Sequence, residues 1–183
     1  MESKKGRFEK VNLFFQDESR FGLFTRNGKA LTAKAVKPII PFHQVFKSLY
    51  LYGAFSPING DSFLLELPAC NADLFQLFLN EFSLQNPDEL KLIVLDNGAF
   101  HKAQKLAIPE NIVLIFLPPY SPELNPAEKI WAKFKRDFTN RLFHTLDSLE
   151  KYLCELSSSL QRSEVISITS FSYVFSCPLW TTV

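Results

Sequence analysis

The segment from Leu117 to Trp131, LPPYSPELNPAEKIW, decides the fold prediction for this chain. A hydrophobic strand ends in a rigid, proline-rich turn, and a helix is predicted to begin directly after it. With Asn125 as the N-cap and Pro126 at the first helical position, Glu128 falls at the third position, where a capping-box glutamate belongs. A carboxylate at this place can also face a metal ion, so the two interpretations of Glu128 are compatible.

Two earlier acids also follow apolar runs. Asp17 comes after a strand predicted over residues 11–16, and Asp96 comes after a strand predicted over residues 92–95. Each has an ordinary explanation: Asp17 is a turn acid whose neighbour Glu18 competes for any role, and Asp96 begins an Asx turn. Ligands of open α/β sheets bind at the carboxyl ends of strands, however, so Asp96 is also well placed for function.

Taken together, the three acids favour a metal site, because two strand ends and a helix start can converge on one cleft. Carboxylates supply the hard oxygen ligands that Mg²⁺ prefers. Two such ions ~3.5–4 Å apart suit the in-line displacement of a phosphodiester. The sequence contains no cluster of Cys or His residues that would favour zinc. Magnesium-dependent phosphodiester chemistry is therefore the predicted activity.

The hydrophobic pattern predicts a mixed α/β domain. Residues 21–25 are expected to form a hairpin with the first strand, before an Asn27-Gly28 turn. The other predicted strands are 49–55 and 62–67, joined at Asn59-Gly60, then 92–95 and 112–117; the predicted helices follow the N-cap Asn71 and span 102–107, 126–138 and 146–160. The order is a β-meander, one helix, then β-α-β-α with flanking helices.

This pattern places the domain at residues 11–162, between a basic N-terminal tail, 1–10, and a C-terminal tail, 163–183, whose structure it does not assign. A hydrophobic content of 46% with 19 phenylalanines excludes disorder. Cys70, Cys154 and Cys177 are far apart, which fits a reducing cytoplasm, and no apolar run is long enough for a membrane span. We expect a cytoplasmic protein that is nucleoid-associated when bound to DNA.

Charge is unevenly distributed, although the net charge is only +1. Residues 1–50 are strongly basic, whereas residues 51–90 contain no Lys or Arg. The basic part can contact DNA phosphates or serve as a solvated tail. Further candidates for DNA contact, which can equally be ordinary surface residues, are Asn97, His101, Lys102, Lys129, Lys133 and Arg136.

Three motifs together resemble the catalytic domain of DDE transposases, specifically the mariner-like superfamily and related bacterial insertion sequences. They are FQDE at residues 15–18, LDNGAFHK at residues 95–102 and LPPYSPELNPAE at residues 117–128. The third motif is highly specific, and the order and rough spacing also agree. The resemblance covers about residues 11–153.

The resemblance implies a ribonuclease-H-like fold with Asp17, Asp96 and Glu128 as the catalytic metal ligands. It also implies two Mg²⁺ ions, for which Mn²⁺ substitutes. Such enzymes cleave DNA at the terminal repeats of a mobile element, as homodimers, and join the freed end to target DNA, typically at TA. Glu123 lies in the same motif, but the family's position after Asn-Pro corresponds to Glu128.

Two departures from the family pattern bear on function. The interval between Asp96 and Glu128 is a few residues shorter than is usual in the mariner branch. The sequence also enters the catalytic domain almost at once, so we expect end recognition to need an upstream helix-turn-helix polypeptide. The alternative functions are a catalytically silent remnant that only binds DNA or protein, and a structure-selective nuclease such as a ribonuclease H. The latter gives no reason for the SPELNP turn at residues 121–126.

Overall fold

A computed structural model describes residues 8–25, 28, 33–37 and 42–175. It contains one mixed sheet of five strands in the order β3-β2-β1-β4-β5. The strands are β1 (Lys10–Gly22), β2 (Ser48–Phe55), β3 (Ser62–Leu67), β4 (Glu89–Leu95) and β5 (Ile112–Phe116). Strands β1, β2 and β3 form an antiparallel meander, while β4 and β5 run parallel to β1. The predicted α/β class and meander are confirmed.

Helices cover both faces of this sheet. They are α1 (Ala72–Leu84), α2 (Ala127–Phe138), α3 (Leu146–Ser159), α4 (Arg162–Thr169) and α5 (Ser172–Phe175), with short 3₁₀ turns at Ala99–Lys102 and Pro122–Leu124. The described helices include none long and apolar enough to cross a membrane.

Side chains alternate along β1 and β4 and so build two separate cores. On one face, which we call the α2 face, Phe15 and Val94 pack with Trp131 and Phe134 of α2. On the other, the α1 face, Phe14, Ile93 and Leu95 pack with apolar residues of α1, namely Phe75, Phe78, Leu79 and Phe82. Helix α1 begins as predicted, since Asn71 Oδ1 accepts a hydrogen bond from the backbone N–H of Leu74 at 3.0 Å.

The first strand is much longer than its apolar run. The prediction that it ends before Asp17 and pairs with residues 21–25 is wrong, because β1 continues to Gly22 and pairs antiparallel with β2 from Phe15 to Gly22. The charged residues of β1 have a low strand propensity. They nevertheless belong to the strand because their backbone pairs with β2. Asn27 of the predicted turn lies outside the described residues. The predicted hairpin of β2 and β3 is confirmed, with Gly60 at φ +75° in its connection.

Two further boundaries differ from the prediction. No helix forms at residues 102–107; instead a 3₁₀ turn ends at Lys102, and the backbone N–H and carbonyl of Ala107 bond to the side chain of Gln76 on α1. At the C-terminal side, Val165 and Val174 are buried in the α2-face core. Helices α4 and α5 therefore belong to the same packed unit, which extends beyond the predicted boundary at residue 162.

Candidate active site

Strand register brings Asp17 and Asp96 to the same place. Phe15 of β1 pairs with Val94 of β4, and both side chains lie in the α2-face core. Two residues further along each chain are Asp17, still within β1, and Asp96, the first residue after β4. Because side chains return to the same face every second residue, Asp17 lies toward α2, and the register sets Asp96 beside it at the carboxyl end of β4. Asp17 therefore lies within β1, just beyond its last pair with β4, and not at the end of its own strand.

Helix α2 contributes Glu128 to a cleft beside these acids. Glu128 and Asp17 line this cleft together. The residues of α2 and its C-cap that line it recur at three- and four-residue steps, as one face of a helix requires: Glu128, Trp131, Ala132, Lys135, Arg136 and the C-cap Thr139. We call this the acid cleft. It joins a carboxylate end to a basic end along a single helix face.

Burial and neighbouring carboxylates affect the charge of Asp17. Burial raises the pKa of Asp17 most strongly, and the negative charges of Glu18, Glu128 and Asp96 raise it further, to about 8. The charges of both other predicted catalytic acids therefore act on the pKa of Asp17. In the described part of the chain, no three His, Cys, Asp or Glu side chains stand close enough to hold a metal ion as they are.

Glu18, the neighbour that competed with Asp17 in the sequence, has a different environment. Its carboxylate accepts a hydrogen bond from Gln16 Nε2 at 2.7 Å, and its Oε1 lies 3.0 Å from Nε2 of His101. The other ring nitrogen of His101, Nδ1, lies 2.8 Å from Oδ1 of Asp96. Geometry therefore distinguishes the two adjacent acids: both line the acid cleft, but only Glu18 also engages His101.

The ring of His101 is cationic when both carboxyl groups are ionised, because a carboxylate only accepts hydrogen bonds and both ring nitrogens must then donate. Burial by itself would lower the pKa of His101. Hydrogen bonds and charges from Glu18 and Asp96 outweigh burial, so that the pKa lies above its usual value. His101 is the positive centre between two acids of the site.

The start of α2 differs in detail from the prediction. The helix begins at Ala127, and Pro126, its N-cap, makes no side-chain cap. Glu128 is therefore the second helical residue, and the predicted capping box is wrong. Asn125 is 4% exposed; its Oδ1 accepts from the N–H of Ala127 at 3.1 Å and its Nδ2 donates to the carbonyl of Gln16 at 2.9 Å.

The predicted DNA contacts occupy several environments. His101 is 2% exposed, which removes it from any surface that DNA would touch. Asn97 is half-buried and its Nδ2 donates to the carbonyl of Leu117. Lys133 lies near carboxylates of both Asp137, at 3.8 Å, and Glu164, at 3.5 Å. These three positions serve contacts within the protein.

The remaining candidates lie at the surface. Lys102 and Lys129 are exposed, and Arg136 lines the acid cleft. The structure adds Arg20 and Lys135 to the cleft lining. Lys135 follows Glu128 by seven residues and so shares its helix face, a signal that was present in the sequence. Arg20 had no such signal, because its position depends on the pairing of β1 with β2.

Comparison with known proteins assigns the family. A family model described as DDE superfamily endonuclease matches residues 12–150. The chain belongs to this family. A curated relative, the uncharacterized protein y4pE/y4sA of Sinorhizobium fredii (strain NBRC 101917 / NGR234), is 39% identical over 108 residues, which cover 57% of this chain and 79% of the relative.

Solved structures confirm the fold of this DDE endonuclease. A pre-cleavage Mos1 transpososome matches with a TM-score of 0.69 at 15% identity, over 87% of this chain and 52% of that chain. The Mos1 mariner paired end complex with Mn matches with a TM-score of 0.68 at 17% identity, over 87% and 52%. This chain thus spans about half the length of the Mos1 chains it matches. The family model thus confirms the predicted DDE family, and the Mos1 structures confirm the predicted fold.

Proposed function

We propose that this DDE endonuclease is a transposase catalytic domain that cleaves DNA at the ends of a mobile element and joins them to target DNA. The observation that carries the proposal is the pairing of two carboxylates in the acid cleft, Asp17 of β1 and Glu128 of α2, beside Asp96 at the carboxyl end of β4. These acids are the proposed catalytic residues. The similarity to Mos1 in a pre-cleavage transpososome supports the choice of DNA as the substrate.

The donor set of the cleft fits a divalent cation. Its acids provide only hard oxygen ligands, and burial together with the charges of Glu18, Glu128 and Asp96 raises the pKa of Asp17, which marks a concentration of negative charge that suits a cation. We propose that Asp17, Asp96 and Glu128 hold two Mg²⁺ ions, or Mn²⁺ ions as in the Mos1 complex with Mn. When bound, the ions supply the positive charge that stabilises attacking and leaving oxygens in an in-line displacement.

The protein's own groups orient the reactants. Asp17 is fixed by its strand and Glu128 by the first turn of α2, so the two carboxylates approach the cleft from rigid elements. Arg20 and Arg136 lie at the basic end of the same cleft, where they are suited to bind backbone phosphates. A DNA strand bound along α2 would thus be held by its phosphates beside the acids.

Finer features of the proposal follow the family. We propose TA as the target dinucleotide, a homodimer as the active assembly, and a helix-turn-helix polypeptide as the partner that recognises the element's ends. The Mos1 paired end complex supports an assembly on two DNA ends.

Nicking of supercoiled DNA by the purified chain tests the proposed activity. We expect cleavage with Mn²⁺ or Mg²⁺ and none with EDTA. Asp96→Asn keeps the side-chain shape but removes the charge, so cleavage should fall by roughly 10³-fold or more. Asp88→Asn is the matched control, since Asp88 is exposed just before β4 and away from the cleft. Near-normal cleavage by Asp96→Asn would refute the site, and an inactive but folded chain would favour the silent remnant.

A further inference from the structure

His101 lies between two carboxylates and is shielded from solvent. Its ring is 2% exposed and contacts the rings of Phe75 and Phe100, with centroids 4.6 and 4.1 Å away. Both ring nitrogens are engaged, Nδ1 with Asp96 at 2.8 Å and Nε2 with Glu18 at 3.0 Å. The ring therefore has no free nitrogen with which to contact DNA or exchange a proton with a substrate.

The side chain of Glu18 is itself held in place by a buried neighbour, Gln16. Its side chain is 9% exposed, and it accepts a hydrogen bond at 2.7 Å from Gln16, which is fully buried. A buried carboxylate is costly unless it is paired and hydrogen-bonded, and here both conditions are met. The Gln16–Glu18 pair thus forms a fixed support for one side of the imidazole.

The other side of the imidazole contacts the exposed carboxylate of Asp96. Asp96 follows the last residue of β4, and its side chain is 59% exposed, so packing alone does not select its rotamer. Two donors converge on its Oδ1: the backbone N–H of Gly98 at 2.8 Å and Nδ1 of His101. A Cβ on Gly98 would stand 3.1 Å from Oδ1 and 3.0 Å from Nδ1, so glycine leaves room for this arrangement. One carboxylate oxygen of Asp96 is thereby anchored.

We propose that His101, supported by Glu18, is a positioning residue that orients the Asp96 carboxylate for divalent-cation binding in the acid cleft. This inference rests on the proposed function, which makes Asp96 a metal ligand. Groups that hydrogen-bond to metal-ligating carboxylates fix their orientation, and their loss typically costs about 10–100-fold in metal affinity or activity. Glu18 thus acts on Asp96 through His101, whereas the adjacent Asp17 is itself a proposed metal ligand.

Mn²⁺ titration of the full chain, followed by the electron paramagnetic resonance of free Mn²⁺, tests this role without relying on activity. His101→Gln and His101→Ala should each bind Mn²⁺ about 10–100-fold more weakly than the wild type. His43→Gln is the matched control, because Nδ1 of His43 contacts the carbonyl of Phe143 at 2.9 Å, away from the cleft acids. Its Mn²⁺ affinity should equal that of the wild type.

A second readout separates positioning from chemistry. In the nicking assay, His101→Gln should need about 10–100-fold more Mn²⁺ for half-maximal rate but approach the wild-type rate at saturation, since all three cleft acids remain. Glu18→Gln, which keeps the shape of the support, should weaken Mn²⁺ binding in the same direction. If the His101 variants do not fold, the Mn²⁺ affinity of Glu18→Gln decides whether this support positions Asp96.

The outcomes separate the inference from the function on which it rests. Folded His101 and Glu18 variants with wild-type Mn²⁺ affinity, alongside an Asp96→Asn variant that has lost Mn²⁺, would overturn the positioning role and leave the proposed site standing. Wild-type affinity in Asp96→Asn itself would overturn both. Weakened binding in all of these variants, with His43→Gln unaffected, is the expected result.

Discussion

Asn125 donates a hydrogen bond from Nδ2 to the backbone carbonyl of Gln16, at 2.9 Å, in the buried interior. Gln16 immediately precedes Asp17, and Asn125 lies three residues before Glu128. The same Asn125 side chain accepts from the N–H of Ala127, the first residue of α2. A single amide therefore joins the strand that carries one proposed metal ligand to the helix start that carries another.

Asn125→Ala should destabilise the protein by about 1–3 kcal/mol, because it removes both hydrogen bonds from a buried position. Urea unfolding followed by circular dichroism measures this change. It should also reduce Mn²⁺-dependent nicking, since the start of α2 loses its connection to β1. Asn80→Ala, at an exposed position of α1, is the control and should change stability by no more than about 0.5 kcal/mol. Equal stability of the two variants would contradict a structural role for Asn125.

Much of the architecture was predictable because apolar runs and turn signals mark most elements locally. The N-cap Asn71, the hairpin around Gly60 and helix α2 all follow from patterns within a few residues. The true length of β1 did not, since its charged half forms a strand only through pairing with β2. The same pairing determines which face Asp17 and Glu18 occupy. The local sequence identified both acids as candidates but could not show that they have different roles.

Glu128→Gln should leave stability nearly unchanged while abolishing cleavage. In the described part of the chain the Glu128 side chain makes no capping hydrogen bond, so the substitution removes none, and it also relieves the repulsion that Glu128 exerts on Asp17. We expect a melting temperature equal to or slightly above that of the wild type in EDTA. Nicking should fall by roughly 10³-fold or more. A clear loss of thermal stability with cleavage retained would support the capping interpretation of this residue.

The metal-free protein should lose stability as the pH rises from about 4 toward 8. Folding raises the pKa of Asp17 from 3.8 to about 8, chiefly through burial and neighbouring carboxylates. The stability contributed by its neutral form is therefore complete below pH 3.8 and is lost as the pH approaches 8. Asp17→Asn, which stays neutral, should melt at a higher temperature than the wild type at pH 8 in EDTA.

Melting curves of the two proteins between pH 4 and pH 8 isolate the contribution of Asp17, because other titrating groups are common to both. Their difference in melting temperature should widen with pH, whereas parallel curves would show that Asp17 does not titrate in this range. Adding Mg²⁺ at pH 8 should stabilise the wild type more than Asp17→Asn, since a bound cation favours the ionised carboxylate.

The polar network behind Asp96 could not be predicted from spacing. His101 follows Asp96 by five residues, and a nearby histidine in a loop is ordinarily expected at the surface. Its burial depends on Phe75 of α1 and on Glu18 of β1, which are brought together only by the packed α1 face of the sheet. Contacts between residues this far apart in sequence carry no local signal.

Arg136 and Lys133 should differ in their effect on DNA binding although both lie on α2. Arg136 lines the acid cleft and lies 3.6 Å from Asp137, but its side chain is 75% exposed. Lys133 is only 20% exposed and lies between Asp137 and Glu164. A phosphate contact releases counterions, so each one contributes about 0.9 to the slope of log affinity against log salt concentration. Arg136→Gln should weaken binding to duplex DNA and lower this slope by about one contact. Lys133→Gln should leave both nearly unchanged. Fluorescence anisotropy of a labelled duplex at several salt concentrations measures both quantities, and the reverse order of effects would place the DNA on the other side of α2.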